Sequence, residues 1–159
     1  MNFRIGKGYD IHRTGPGKDI ILGGIRINAG FSLVGHSDAD VLLHAITDAL
    51  LGSIAAHDIG HYFPPSDPEN RNRNSADFFI FAALLVGNQG YRISNIDTNI
   101  IAEKPRIGPH REAIVKNIAE LLKVEETQIS VKARTNEQLG PVGRGEGIAA
   151  EAVVLIEKI

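Results

Sequence analysis

The 159-residue sequence contains no cysteine. That absence excludes a disulfide framework, a thiolate zinc site, an iron–sulfur cluster and a cysteine nucleophile. Any transition-metal site must therefore draw on histidine, aspartate and glutamate. Charge of one sign is also scarce. Lys plus Arg is 17 and Asp plus Glu is 19, for a formal net charge of −2. Such a balance supplies no general attraction for nucleic acid, although a local anion site remains compatible with it. No apolar run approaches the ~20 residues that cross a bilayer. The N-terminus has neither a signal-peptide apolar region nor an Arg/Ser-rich amphipathic presequence, so a cytoplasmic address is the default expectation. Internal repeats and low-complexity linkers are lacking too, and the length suits a single domain over 1–159.

What is present reads as alternating strands and helices. Phe3 to His12 has strand character, and Thr14 to Lys18 carries turn residues. Ile20 to Leu22 and Ile25 to Ile27 flank Gly23-Gly24, the pattern of a small hairpin. Ser37 followed by Asp40 has capping-box spacing, and Val41, Leu42, Ala45, Ile46, Ala49 and Leu50 follow at helical intervals. This predicts a helix from about Asp38 to Ala55 or His57. Pro64, Pro65 and Pro68 argue against regular structure, and residues 69–74 read as a mobile polar surface loop. Ser75 is a plausible cap for a helix to about Gly87. Tyr91 to Ala102 reads as a strand and Arg111 to Leu122 as a helix. Ile129 to Arg134 and Ile148 to Ile156 read as strands, with a glycine-rich stretch at 140–147 before the last. The mixture predicts an α+β fold, with helices layered on one face of a mixed sheet.

Four constellations carry chemical potential. Asp10 and His12 are two apart on a strand, so they point to the same side. The alternative is two polar residues at an exposed strand end. In the second, His36-Ser37-Asp38-Ala39-Asp40 precedes His44 and Asp48, and positions 40, 44 and 48 share a helical face. Capping and dipole complementarity account for Ser37, Asp38 and Asp40 but less well for His44, which neighbours apolar Leu43 and Ala45. Asp10, His12 and His44 together would make a two-His, one-carboxylate set with an open position for catalysis. Asp40 is a rival carboxylate, or a partner that orients His44. Third, Gly140 to Gly147 surrounds Arg144, which could fork onto phosphate. It is neither a Walker A motif nor a dinucleotide fingerprint, and a flexible turn is the plainer reading. Fourth, Lys104 and Arg106 flank Pro105 at a strand end, as an anion contact or an ordinary charged loop.

Taken together, these residues resemble the 2-C-methyl-D-erythritol 2,4-cyclodiphosphate synthase family. The resemblance rests on Arg4-Ile5-Gly6-Lys7-Gly8-Tyr9-Asp10-Ile11-His12-Arg13, on Leu22-Gly23-Gly24-Ile25, and on Gly35-His36-Ser37-Asp38-Ala39-Asp40 through His44-Ala45. Asp48 to Gly52, Asp58 to Pro64, Val131-Lys132-Ala133 and Gly143 to Ala149 continue it over essentially the whole chain. It implies a homotrimer of ferredoxin-like α+β subunits with active sites between neighbours. It also implies conversion of a cytidine diphosphate substrate, 4-diphosphocytidyl-2-C-methyl-D-erythritol 2-phosphate, into the 2,4-cyclodiphosphate and CMP.

By the same resemblance, Asp10, His12 and His44 are zinc ligands, of which Asp10 and His12 also border the substrate, and Glu137 holds a second divalent ion, Mg²⁺ or Mn²⁺. His36 and Ser37 contact substrate phosphate near the start of a helix, where free N–H groups favour anions. Asp58 and Gly60 meet the methylerythritol portion. Ala102, Glu103, Lys104, Pro105, Arg106 and Ile107, with Ala133 and Thr135, form a cytidine and phosphate wall from the adjacent subunit. Catalytic roles fall to Thr135 and His36. Arg144 and Glu146 lie near the trimer axis, where an anion or isoprenoid diphosphate could bind.

The substrate's own 2-phosphate is the implied nucleophile, which explains why no protein nucleophile is evident. The sequence departs from the family at Pro65, where Asp is common, at Arg134, where Thr is frequent, and at Pro141, where an aromatic is usual. The last weakens the expectation of an isoprenoid site. No cytidylyltransferase segment precedes Met1, so the monofunctional form is expected. A zinc phosphohydrolase giving linear product, and a trimeric isoprenoid-diphosphate binding protein using Arg144, are the competing readings.

Overall fold

The computed structural model describes residues 2–159; Met1, where the single-domain reading begins, lies outside them. The first strand, β1 (Phe3–Gly15), runs beside the last, β7 (Gly147–Lys158), in antiparallel register from Phe3↔Glu157 to Arg13↔Gly147. Strand β5 (Tyr91–Ile101) pairs antiparallel on the other side of β7, and β6 (Ile129–Arg134) pairs parallel with β5. A short β4 (Ser32–Val34) closes the other edge, giving the order β4-β1-β7-β5-β6. The separate hairpin of β2 (Asp19–Leu22) and β3 (Ile25–Asn28) forms as expected, turning at Gly23 and Gly24. Both glycines have positive φ, 58° and 77°, which the two-residue hairpin turn requires. The mixed sheet, its helices and this hairpin are the α+β layer that the sequence predicts.

Three longer helices cover one sheet face: α1 (Val41–Ser53), α3 (Ser75–Asn88) and α4 (Arg111–Leu122). Leu42, Ile46 and Leu50 of α1 join Ile148, Val154 and Ile156 of β7 and Ile96 and Ile100 of β5 in the core. Two one-turn helices complete the chain, α2 (Ile59–Tyr62) and α5 (Gly140–Gly143).

The seating of α1 on β1 is unusually close. A Cβ built at Gly6 would lie 1.8 Å from the Ala49 carbonyl oxygen, and one at Gly8 1.9 Å from that of Ala45. Only glycine lets the helix backbone touch the strand there. Gly6 and Gly8 alternate with outward-facing residues, so Asp10 and His12, next on the same face, also point toward α1.

The structure corrects several expected boundaries. Helix α1 starts at Val41, and its cap is Asp40 rather than Ser37. Ala39, at φ 58°, turns the chain ahead of it and prevents Ser37 from reaching the first helical N–H groups. Asp40 is fully buried. Its Oδ1 accepts from Leu43 N at 3.0 Å and Gly23 N at 2.9 Å, and its Oδ2 from Gly24 N at 2.6 Å. One carboxylate thus caps the helix and ties down the hairpin. Burial pushes its pKa up to about 6, against the pull of those three donors.

The α3 cap is Asn74, whose side chain accepts from Ala76 N; Ser75 is already helical. Residues 69–74 are less loose than their polarity implies. Asn70 is buried, its Nδ2 donates to the Pro64 carbonyl, and Pro68–Asn70 forms a 3₁₀ turn with proline in its tolerated first position. Pro141 likewise sits in the first turn of α5, within the stretch expected to be irregular. Strand β4 has too few residues to leave a periodic signal, and its pairing extends β1 to Gly15.

Gly8→Ala should cost at least about 3 kcal/mol, because the overlap is with backbone and cannot be relieved by a rotamer change. Denaturant unfolding measures this. Asp40→Ala should cost a similar ~3 kcal/mol, combining a lost cap with unsatisfied hairpin N–H groups. Asp40→Asn, which keeps one acceptor, should lose less in the same titration.

Candidate metal centre and active-site pocket

Asp10 and His12 of β1 meet His44 of α1 at the base of an open pocket. Asp10 Oδ2 lies 2.9 Å from His12 Nε2 and 3.0 Å from His44 Nδ1, and the two nitrogens are 3.1 Å apart. The side chains are mostly covered, at 28%, 16% and 12% exposure respectively. Burial alone would raise the Asp10 pKa; hydrogen bonds and charge from the two histidines outweigh it and hold the carboxyl at about 2. Burial likewise opposes protonation of His12, but Asp10 beside it wins and raises its pKa.

This donor set fits a divalent cation. His12 Nδ1 is 3.0 Å from the Val34 carbonyl oxygen, so it carries the proton in the neutral ring and leaves the Nε2 lone pair facing Asp10 and His44. Two nitrogens and a carboxylate oxygen held this close need a proton or a metal between them. Two histidines and one carboxylate form a recognised zinc set with room for a fourth ligand. Asp40, the rival carboxylate, is excluded, since both its oxygens are engaged by backbone N–H groups away from the trio.

His36, Ser37 and Gly60 line the same pocket. Helix α1 begins four residues after Ser37, and its Leu43 N–H is taken by Asp40. Asp58 caps α2, its Oδ1 accepting from His61 N at 2.9 Å.

Asp48, which shares a helical face with His44 in the sequence, lines the pocket as well, with Oδ1 accepting from Ile59 N at 2.8 Å; burial raises its pKa, and Asp58 adds to the rise. Ile59, Phe63, Pro65 and Phe78 form an apolar wall. Phe63 and Phe78 pack with centroids 4.4 Å apart, and the Arg73 guanidinium covers both rings at 5.2 and 5.4 Å. Ser75 also approaches His44. Nothing local marks Phe78 or Ser75 as site residues; both look like ordinary positions of an apolar helix.

The second group of expected residues does not join the trio within one chain. Asp10 pairs with Ala150, Ala150 with Ile100, and Ile100 with Ala133. Three strand spacings, about 14 Å, therefore separate the metal centre from the Ala133 edge. There, Glu103 Oε1 accepts from Asn136 N at 2.9 Å, and Thr135 Oγ1 donates to Glu137 Oε1 at 3.3 Å. Ala102 and Ile107 are buried, whereas Lys104 and Arg106 bracket Pro105 at the surface. Arg134 ends β6 exposed. Arg144 pairs with Glu146 at 2.6 Å just ahead of β7, and Pro141 and Glu146 border a separate crevice.

Known proteins match this arrangement along the whole chain. The model of the YgbB family matches residues 3–157. A 2-C-methyl-D-erythritol 2,4-cyclodiphosphate synthase from Thermosynechococcus vestitus is 52% identical over 99% of this chain and 98% of its own. A bifunctional enzyme IspD/IspF from Erythrobacter litoralis is 55% identical over 96% of this chain but 40% of its own. Among solved structures, a CDP complex of IspF from Plasmodium falciparum superposes with a TM-score of 0.88 at 40% identity, covering 99% of this chain and 97% of that one. A 2C-methyl-D-erythritol-2,4-cyclodiphosphate synthase structure superposes with a TM-score of 0.89 at 36% identity, covering 97% and 100%. Likeness of this extent, over a fold that brings Asp10, His12 and His44 together, makes the chain a member of the YgbB family, alongside the 2-C-methyl-D-erythritol 2,4-cyclodiphosphate synthases.

Proposed function

We propose that this chain is a 2-C-methyl-D-erythritol 2,4-cyclodiphosphate synthase of non-mevalonate isoprenoid precursor biosynthesis, with a cytoplasmic address as part of the same reading. It cyclises 4-diphosphocytidyl-2-C-methyl-D-erythritol 2-phosphate and releases CMP. One observation carries the reading: the convergence of Asp10, His12 and His44 within 3.1 Å, in a pocket of a chain 52% identical to such a synthase.

The 2-phosphate of the substrate attacks the β-phosphorus of its own diphosphate, so the protein's task is to align two anions that repel each other. Asp10, His12 and His44 would hold Zn²⁺ and Glu137 a Mg²⁺ or Mn²⁺, supplying the positive charge that offsets this repulsion. The Val34 carbonyl fixes the His12 ring for that task. Ser37 and His36 present a hydroxyl and an imidazole to the phosphate from the pocket rim. Ile59, Phe63 and Phe78 shield the reacting phosphorus from water, which favours ring closure over hydrolysis.

Association completes the site in this proposal. The sheet face away from the helices exposes Ile5 at 71%, Tyr9 at 52%, Ile11 at 44% and Val153 at 45%. An apolar patch of this kind supports packing between copies. In a homotrimer, the edge bearing Ala102–Ile107, Ala133, Thr135 and Glu137 of one subunit would face the metal centre of the next. There it would take the cytidine and place Thr135 against the diphosphate.

Incubation with the substrate and Mg²⁺, followed by phosphorus NMR, should yield cyclic diphosphate and CMP. Linear product would point to hydrolysis and overturn the reading. His44→Ala should lose zinc by elemental analysis and lower kcat/KM by about 10³-fold. Ile5→Glu with Ile11→Glu should sediment as monomer and lose turnover. The zinc-dependent rise in Tm of stripped protein should grow from about pH 5.5 to about pH 8. The raised His12 pKa stabilises the metal-free fold below its ordinary value of 6.5 and is lost as pH rises. The lowered Asp10 pKa contributes stability that is fully present above its ordinary 3.8 and lost only as pH falls toward about 2, so it is constant across this window.

A further inference from the structure

Ser75 stands behind His44 on the side away from the pocket. It is fully buried, and its Oγ lies 2.8 Å from His44 Nε2. The same hydroxyl donates to Asp38 Oδ1 through a short hydrogen bond, while Ser75 N donates to Asp38 Oδ2 at 3.0 Å. A hydroxyl has a single proton, and an ionised carboxylate only accepts. With its proton committed to Asp38, Ser75 can offer His44 nothing but a lone pair. His44 Nε2 must then carry the proton, which leaves the Nδ1 lone pair free. Nδ1 is the nitrogen that lies 3.0 Å from Asp10 Oδ2 and 3.1 Å from His12 Nε2.

We propose that Ser75 and Asp38 are positioning residues that fix the tautomer and aim of His44, so that its Nδ1 is presented to a cation. Ser37 is the weaker candidate for this task. Its Oγ is 3.2 Å from His44 Nε2, also accepts from Ala39 N, and lines the pocket where substrate would meet it. Asp40 N also donates to Asp38 Oδ1 at 3.2 Å, so three donors orient this carboxylate. The pair additionally clasps the chain, since Asp38 N donates to the Arg73 carbonyl at 3.1 Å. A clasp alone would affect stability and leave the His44 proton unconstrained.

Asp38→Asn separates the two roles. Asparagine has one acceptor oxygen, which the Ser75 N–H claims, so its amide would donate to Ser75 Oγ. Both contacts with Ser75 are kept, at the loss of the acceptor for Asp40 N, while the hydroxyl proton turns toward His44, favouring the wrong tautomer. Zn²⁺ affinity is read by competition with a chromophoric chelator, and the tautomer by two-bond ¹H–¹⁵N correlations of the imidazole. Asp38→Asn and Ser75→Ala should each weaken Zn²⁺ binding by about 10–100-fold and reduce the Nε2–H signature of His44. Ser75→Thr, which keeps the hydroxyl, should restore both relative to Ser75→Ala. Wild-type affinity and an unchanged signature in folded Asp38→Asn would overturn the proposal, whether or not Ser75→Ala folds. The inference rests on the metal reading of the trio. If that reading fails, the wild-type protein itself takes up no Zn²⁺; if only the present inference fails, wild type and variants take it up alike.

Discussion

The contact between helix α1 and strand β1 sets the geometry on which everything else depends. Gly6 and Gly8 let the helix backbone lie against the strand, with no side chains between them. Helix radius and strand pleat then place His44 directly over Asp10 and His12, three donor atoms within 3.1 Å. Any Cβ at either glycine would separate the two backbones and pull the trio apart. Core packing and chemistry are therefore set at one interface, by residues that carry no functional group.

Two aspartates two residues apart, both at the start of α1, serve different tasks. Asp40, sealed from water, gathers N–H groups from α1 and the hairpin and converts a desolvated charge into a structural joint. Asp38 receives both donors of Ser75 and lies two hydrogen bonds behind His44, through the Ser75 hydroxyl. Ala39, between them in a left-handed conformation, lets neighbouring carboxylates point to different tasks.

The pocket is asymmetric. Its floor is polar and its far wall apolar, with Arg73 laid over Phe63 and Phe78 and hydrogen-bonded to Asp77 and Asn70. A polyanionic substrate thus meets charge on one side and a dry surface on the other. Its remaining expected contacts lie three strands away on the same sheet, in keeping with a site assembled from two copies.

Much was legible in local pattern. The hairpin at Gly23-Gly24, the long strands, the three main helices and the pairing of Asp10 with His12 follow from period and turn chemistry, which act over a few residues. The capping error at Ser37 shows the limit of this: capping-box spacing was present, but a left-handed Ala39 moved the helix start, and backbone handedness there depends on the buried partners of Asp40. Ser75 read only as a helix cap, because its role lies in contacts with His44 and Asp38, more than thirty positions earlier. The sequence by itself determined the available donors, with cysteine excluded and histidine and carboxylate left, and the elements on which they ride. Only the tertiary structure decided that His44 meets β1, that Asp40 does not serve as a ligand, and that Ser75 stands behind the metal centre, because non-local distances are set by packing rather than by spacing along the chain.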